Sequence, residues 1–151
     1  MTQAPVSDPT PSGYEGSPVL LFDGECGLCQ RIVRVLLRCD RRGELRFAPL
    51  QGPAAQGYLR SHGLPTADFD SLVFVPDWSR PDRGDHRLRT DGAVAALRAA
   101  GGPRWVIGLI SAWPPAWRDG AYRLIARWRY RIFGRSRAGV LDRPEWRGRF
   151  L

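Results

Sequence analysis

The chain has 151 residues, 43% of them hydrophobic and 25% charged, the balance of an ordinary soluble globular protein long enough to bury one core. Three cysteines are too few for a disulfide scaffold and leave one over after any pairing, so the expected setting is a reducing one, the cytoplasm. The net charge is +8 and every basic residue is arginine, which marks either a coding bias or a surface for phosphate, nucleic acid or anionic lipid.

Residues 1–17 are rich in Pro, Ser, Gly and Thr and read as a disordered tail. They show no basic segment followed by an apolar one, so no secretory signal is expected. No apolar run approaches the roughly 20 residues needed to span a bilayer. Residues 18–135 read as one domain with a helical extension at its end, and 136–151 as a basic, loosely docked tail.

Pro18 to Phe22 is an apolar run that reads as a buried strand, and Asp23-Gly24 breaks it. Cys26-Gly27-Leu28-Cys29 follows at once, opening an amphipathic helix from Cys26 to about Asp40. A helix N-terminus carries unpaired N–H groups and a partial positive charge. A thiolate placed there is stabilised and becomes a nucleophile near neutral pH. A second cysteine one turn on can attack the resulting mixed disulfide. The spacing therefore predicts a redox dithiol, with Cys26 the more exposed and more acidic thiol and Cys29 the more buried. Leu28, Ile32, Val35 and Cys39 fall in one apolar row of this helix, and Cys29, Val33 and Leu36 in the next. Cys39 is thus expected to be a buried, inert thiol. Gly43 is expected to cap the helix end.

Glu44 to Leu50 reads as a second strand, so strand, helix and strand form a right-handed parallel crossover. The end of that strand emerges beside Asp23, which makes Gln51 a candidate for lining the site. Pro53 to His62 is a short helix, closed by His62 as a surface cap. Ser71 to Pro76 and His86 to Thr90 read as an antiparallel hairpin. Thr90 or Asp91 is expected to N-cap the next helix, which Gly101-Gly102-Pro103 ends. Trp105 to Trp113 is an apolar helix, either buried or at a membrane surface. Pro114-Pro115 opens the last helix, whose apolar row is Trp117, Ala121, Leu124, Trp128 and Ile132.

The order β-α-β-α-β-β-α, with Cys-x-x-Cys opening the first helix, predicts an α/β fold of thioredoxin-like type: a mixed four-stranded sheet with additional C-terminal helices. The sequence more closely resembles the DCC family of predicted thiol-disulfide oxidoreductases. The matching stretches are Leu21 to Cys29, Arg46 to Gln51, Arg89 to Ala93 and Arg129 to Arg135. The resemblance implies a dithiol site at Asp23, Cys26 and Cys29. One departure concerns docking of the substrate backbone. Thioredoxins and glutaredoxins place a cis-proline before the third strand, where this chain has Phe69-Asp70.

On this reading Cys26 attacks a disulfide of a protein or a low-molecular-weight thiol, and Cys29 resolves the intermediate. Asp23 or Glu25 relays a proton, or Asp23 merely shapes the turn. In glutaredoxin-like proteins the helix start equivalent to Thr90-Asp91 holds the charged end of glutathione. Thr90 and Asp91 are therefore candidate substrate-binding residues, against a plain capping role. No cofactor and no self-contained metal site are expected, because only Cys39, His62 and His86 could join the pair and Cys39 lies far along the helix. Two alternatives remain: a metal or cluster bridging a dimer through Cys26 and Cys29, or an Arg- and Trp-rich binding module. The second rests on residues 118–151, which carry ten Arg against three acids and would suit nucleic acid or peripheral contact with an anionic membrane. No nucleic-acid motif accompanies them.

Overall fold

The computed structural model describes residues 16–67, 72–135 and 143–151. The expected disordered tail (but for Gly16 and Ser17) and the Phe69-Asp70 stretch lie outside the described residues. Four strands form one mixed sheet: β1 (Val19–Phe22), β2 (Arg46–Pro49), β3 (Val73–Val75) and β4 (Arg87–Leu88). Their order is β2-β1-β3-β4, with β1 parallel to β2 and antiparallel to β3, and β3 antiparallel to β4. Helices α1 (Gly27–Cys39), α2 (Pro53–Ser61) and α3 (Arg89–Ala99) complete a thioredoxin-like fold. Two further helices follow, α4 (Arg104–Ala112) and α5 (Pro115–Phe133).

Alternation along β1 and β2 creates two cores. Leu20, Phe22 and Phe47 face α1 and α3, whereas Val19, Leu21 and Ala48 face α2. Phe22 and Phe47 are completely buried, and burial of one such side chain contributes about 1.5–3 kcal/mol. Parallel pairing of β1 and β2 brings Asp23 and Gln51 to the same sheet edge, as Phe22 pairs with Pro49.

Several boundaries differ from the sequence reading. Cys26 is the N-cap of α1 rather than its first residue. The helix ends at Cys39, because the Asp40 carboxylate turns the chain by accepting from the Gly43 and Leu45 N–H groups at 3.1 and 2.8 Å. Val35, expected in the core, is exposed, and Cys39 is only half-buried. α3 begins at Arg89, so Thr90 and Asp91 sit inside its first turn and neither caps it. Leu88 is the N-cap, and Arg89 makes the corner with a φ of 55°. Gly92 permits this tight entry: a Cβ there would lie 2.6 Å from the Arg87 carbonyl oxygen.

The last helix turns a different face inward from the one its apolar row predicts. Trp117, Leu124, Trp128 and Ile132 are exposed, whereas Arg129 is 5% exposed. α5 packs on α1 and α3 through the row that holds Arg129, and Tyr122 Oη accepts the Leu72 N–H at 3.1 Å. α4 buries only Ile107.

The chain end is docked rather than loose. Phe150 bridges to Phe47 and packs against Phe22, and the Leu151 N–H donates to the Phe47 carbonyl at 2.9 Å. Arg149 donates to buried Asp40 and to the Leu45 carbonyl. Asp40→Ala should therefore lower stability by about 3–5 kcal/mol, the usual cost of removing one partner of a buried ion pair. A urea midpoint unchanged from wild type would show that this pair does not hold the chain end.

Candidate active site

The site grows from the turn after β1. Gly24 donates its N–H to Gln51 Oε1 at 3.0 Å, and the Gly24 carbonyl accepts from Gln30 Nε2 at 2.7 Å. The turn thereby delivers Cys26 to the N-cap of α1, where its Sγ accepts the Cys29 N–H at 3.4 Å. Both thiols are free. The Cys29 thiol donates to the Cys26 sulfur and, with the Cys29 N–H and the Arg129 charge, outweighs burial and draws the Cys26 pKa down to about 6. The same hydrogen bond, burial and the negative charge on Cys26 push the Cys29 thiol up. The expectation that Cys26 is the more acidic thiol agrees with this arrangement.

The expectation that Cys26 is the more exposed thiol does not hold. Cys26 is 0% exposed and Cys29 4%. The end of α5 covers the motif. The Gly27 N–H donates to the Gly134 carbonyl at 3.2 Å, and Cys26 forms an isolated antiparallel bridge with Arg135. A Cβ on Gly27 would lie 2.5 Å from the Phe133 carbonyl oxygen, so only glycine fits under this cover.

Asp23 is buried beneath the dithiol and fully engaged. Its Oδ1 accepts from the Glu25 N–H at 3.0 Å and from Gln51 Nε2 at 2.7 Å. Its Oδ2 accepts a short hydrogen bond from the Tyr130 hydroxyl and lies 3.3 Å from Arg129 Nη2. Arg129 also donates to Cys29 Sγ at 3.7 Å and to the Tyr130 hydroxyl at 3.3 Å. Burial and the bond to Asp23 raise the Tyr130 pKa, so the phenol stays protonated. Arg129 thus connects the carboxylate to the dithiol.

Of the residues singled out in sequence, Asp23, Gln51, Cys26 and Cys29 come together. The exposed Glu25 side chain lines a polar cleft of about 920 Å³ beside Asp23. Thr90 lines a separate apolar cavity of about 720 Å³ that reaches Cys29 between α1, α3, α4 and α5. Asp91 lies outside both cavities and pairs with Arg118 at 3.5 Å. Arg129 and Tyr130 are the residues that sequence reasoning missed. They fall in the Arg129 to Arg135 stretch of the family resemblance, which marks them without assigning them to the dithiol. Among the described residues no group of three or more His, Cys, Asp and Glu is placed to share a metal ion.

A thioredoxin-like sheet whose first helix opens on Cys-x-x-Cys defines the class of dithiol redox proteins. The chain belongs to the DCC1-like thiol-disulfide oxidoreductase family, whose model matches residues 20–135, and this membership supports a redox function. It is 37% identical over 133 residues to the uncharacterized protein YuxK of Bacillus subtilis (strain 168), covering 88% of this chain and 93% of YuxK. It is 30% identical over 120 residues to the DCC family protein At1g52590, chloroplastic, of Arabidopsis thaliana, covering 79% of this chain and 66% of that protein. No solved structure matches. Among the described residues no helix is long and apolar enough to cross a membrane.

Proposed function

We propose that the protein is a thiol-disulfide oxidoreductase enzyme in which Cys26 is the nucleophile and Cys29 the resolving thiol. The observation that carries this reading is Cys26 Sγ at the N-cap of α1, accepting the Cys29 N–H and close to the Arg129 charge. The Cys26 thiolate attacks one sulfur of a substrate disulfide. A Cys26–substrate disulfide forms, and the other substrate sulfur leaves as a thiolate and takes up a proton. Cys29 then loses its proton and attacks Cys26 Sγ, so that the Cys26–Cys29 disulfide forms and the second substrate thiolate departs. The dithiol is oxidised by two electrons and the substrate is reduced by two. Two thiols of the compartment, or one dithiol, return the pair to the reduced state and leave as a disulfide.

Asp23 holds the Arg129 guanidinium against Cys29 Sγ, where its positive charge favours loss of the Cys29 proton to solvent. Gln51 and Glu25 border the substrate. Because Cys26 is covered by Phe133 to Arg135, a substrate disulfide reaches it only when that segment shifts. The substrate is a disulfide of a protein or of a small thiol, and the setting is a reducing one, the cytoplasm.

The direct test is trapping. Cys29→Ser should hold its substrate as a mixed disulfide on Cys26 that dithiothreitol releases, whereas Cys26→Ser should hold none. Trapping by Cys26→Ser alone would reverse the roles.

The lowered Cys26 pKa sets a second expectation. The folded pKa lies below the ordinary 9.0, so the thiolate persists as pH falls until about pH 6. Alkylation of Cys26 should thus be slow in absolute rate, because the thiol is covered, but should titrate with a midpoint near pH 6. Cys29 should stay unlabelled through neutral pH. A Cys26 midpoint at the ordinary thiol value would remove its activation from this account.

A further inference from the structure

The polar cleft beside Asp23 is lined by Arg89, Arg123, Arg127, Arg129 and Arg135. Among the described residues its acids are Asp23 and Glu25, and Asp23 already faces Arg129. Arg123, Arg127 and Arg135 are exposed, and Arg135 lies over the Tyr130 ring at 4.7 Å. Arg89 is the one non-glycine residue with positive φ among the described residues. A long side chain held in that conformation costs free energy, and such strain clusters at ligand sites. Four arginines thus converge, with Glu25 as the remaining acid, on a cleft that neither cysteine lines but whose wall includes Asp23 and Arg129, and Arg129 donates to Cys29 Sγ.

We propose that Arg89, Arg123, Arg127 and Arg135 form a subsite for the carboxylates of a small anionic disulfide, placing its sulfurs at the Cys26–Cys29 pair. The assignment rests on the oxidoreductase reading and names its substrate class. It replaces Thr90 and Asp91, which lie outside this cleft. Guanidinium groups bind carboxylates bidentately, so the subsite recognises charge and shape together.

The test is a charge series of small disulfides on the pre-reduced full chain: 3,3′-dithiodipropionate (dianion), bis(2-hydroxyethyl) disulfide (neutral) and cystamine (dication). Loss of the protein's own thiols, read by acid quenching, alkylation and mass of the full chain, gives each rate, which is divided by the rate of the same disulfide with free mercaptoethanol. The normalised rates should fall from anion to neutral to cation, by about tenfold at each step at low salt. Arg123→Gln combined with Arg127→Gln should abolish most of the difference, as should 0.5 M NaCl, which shortens the Debye length to about 4 Å. Equal normalised rates, the reverse order, or an order that the double variant leaves intact would overturn the subsite while leaving the oxidoreductase reading in place. Oxidation by none of the three would overturn both.

A different observation carries a second inference. Among the described residues ten large apolar side chains are exposed, and eight of them lie between Trp105 and Ile132. They are 40–74% exposed, and they include four of the six tryptophans of the chain. On α5 the apolar row of Trp117, Leu124, Trp128 and Ile132 runs beside a row of exposed arginines, Arg123, Arg127 and Arg131. Arg131 lies over the Trp128 ring at 5.3 Å. Asp119 is the one acid on the two helices. Tryptophan beside arginine on an amphipathic helix is the composition of an element lying in a membrane interface. A second copy of this face would oppose arginine to arginine. An anionic surface complements the arginines and takes the tryptophans into its headgroup layer.

We infer that helices α4 and α5 seat the protein on an anionic lipid surface. Four of the exposed residues (Leu109, Trp113, Ile125 and Ile132) also line the apolar cavity that reaches Cys29, so the seated face and the cavity are continuous. The full chain should co-sediment with vesicles containing phosphatidylglycerol and shift its tryptophan emission to the blue. It should bind pure phosphatidylcholine vesicles at least about tenfold less, and raised salt should weaken the binding. Trp105→Ser with Trp117→Ser should reduce co-sedimentation severalfold while far-UV circular dichroism stays unchanged. Failure to sediment with anionic vesicles, equal binding to both vesicle types, or a dimer in size-exclusion that itself shifts the emission would overturn this inference.

Discussion

Arg129→Met should destabilise the protein by about 3–5 kcal/mol, the range for breaking a buried ion pair by removing one partner. Arg129 is 5% exposed, and its guanidinium meets Asp23, Cys29 and Tyr130. Methionine fills part of its volume but leaves the Asp23 carboxylate buried without its cation. The Arg129 charge is also one of the groups that lower the Cys26 pKa, so that pKa should move up and the alkylation midpoint with it. Arg129→Lys retains a charge but not the fork that reaches carboxylate and thiol together, and should fall between the two. Chemical denaturation and a pH series of Cys26 alkylation measure both effects. A variant with wild-type stability and a wild-type midpoint would detach Arg129 from the site.

Gly27→Ala should be the second large effect, with a sign opposite to helix propensity. Alanine in place of glycine ordinarily stabilises a helix by about 0.5–1 kcal/mol. Here its Cβ would meet the Phe133 carbonyl oxygen at 2.5 Å and the Gly134 carbonyl oxygen at 3.3 Å, both backbone atoms with little room to yield. The expected result is a net loss of about 1–3 kcal/mol, the usual range for overpacking. The end of α5 should lift from the Cys-x-x-Cys motif, and Cys26 should alkylate faster at every pH. A stabilised variant with unchanged labelling would show that α5 does not gate the thiol.

Both predictions depend on α5, the element that the sequence reading turned the wrong way. The four-strand core was legible because its signals are local. Apolar runs bounded by Asp-Gly and by turn residues mark β1 and β3, and the Cys-x-x-Cys that follows β1 marks the start of α1. The parallel crossover also places Gln51 near Asp23, and the structure has them hydrogen-bonded at 2.7 Å. Helix α5 offers two inward faces, one rich in Trp and Leu and one holding Tyr122, Arg129 and Phe133. Periodicity favours the first, because an arginine is costly to bury alone.

What the sequence determined by itself was the order of strands and helices along the chain, the crossover, the position of the dithiol at a helix N-terminus and the family resemblance. These follow from patterns within about 30 residues, where hydrophobic period and turn chemistry act directly. Tertiary structure alone decided that Arg129 turns inward, that Cys26 is covered, that the chain end docks on β2 and that Thr90 and Asp91 leave the cleft. The physical reason is the partner. Asp23 is 106 positions from Arg129 in the chain, and Asp40 is 109 from Arg149. A buried charge is tolerated only when its counter-charge is in place, and nothing local to either arginine announces the carboxylate that waits for it.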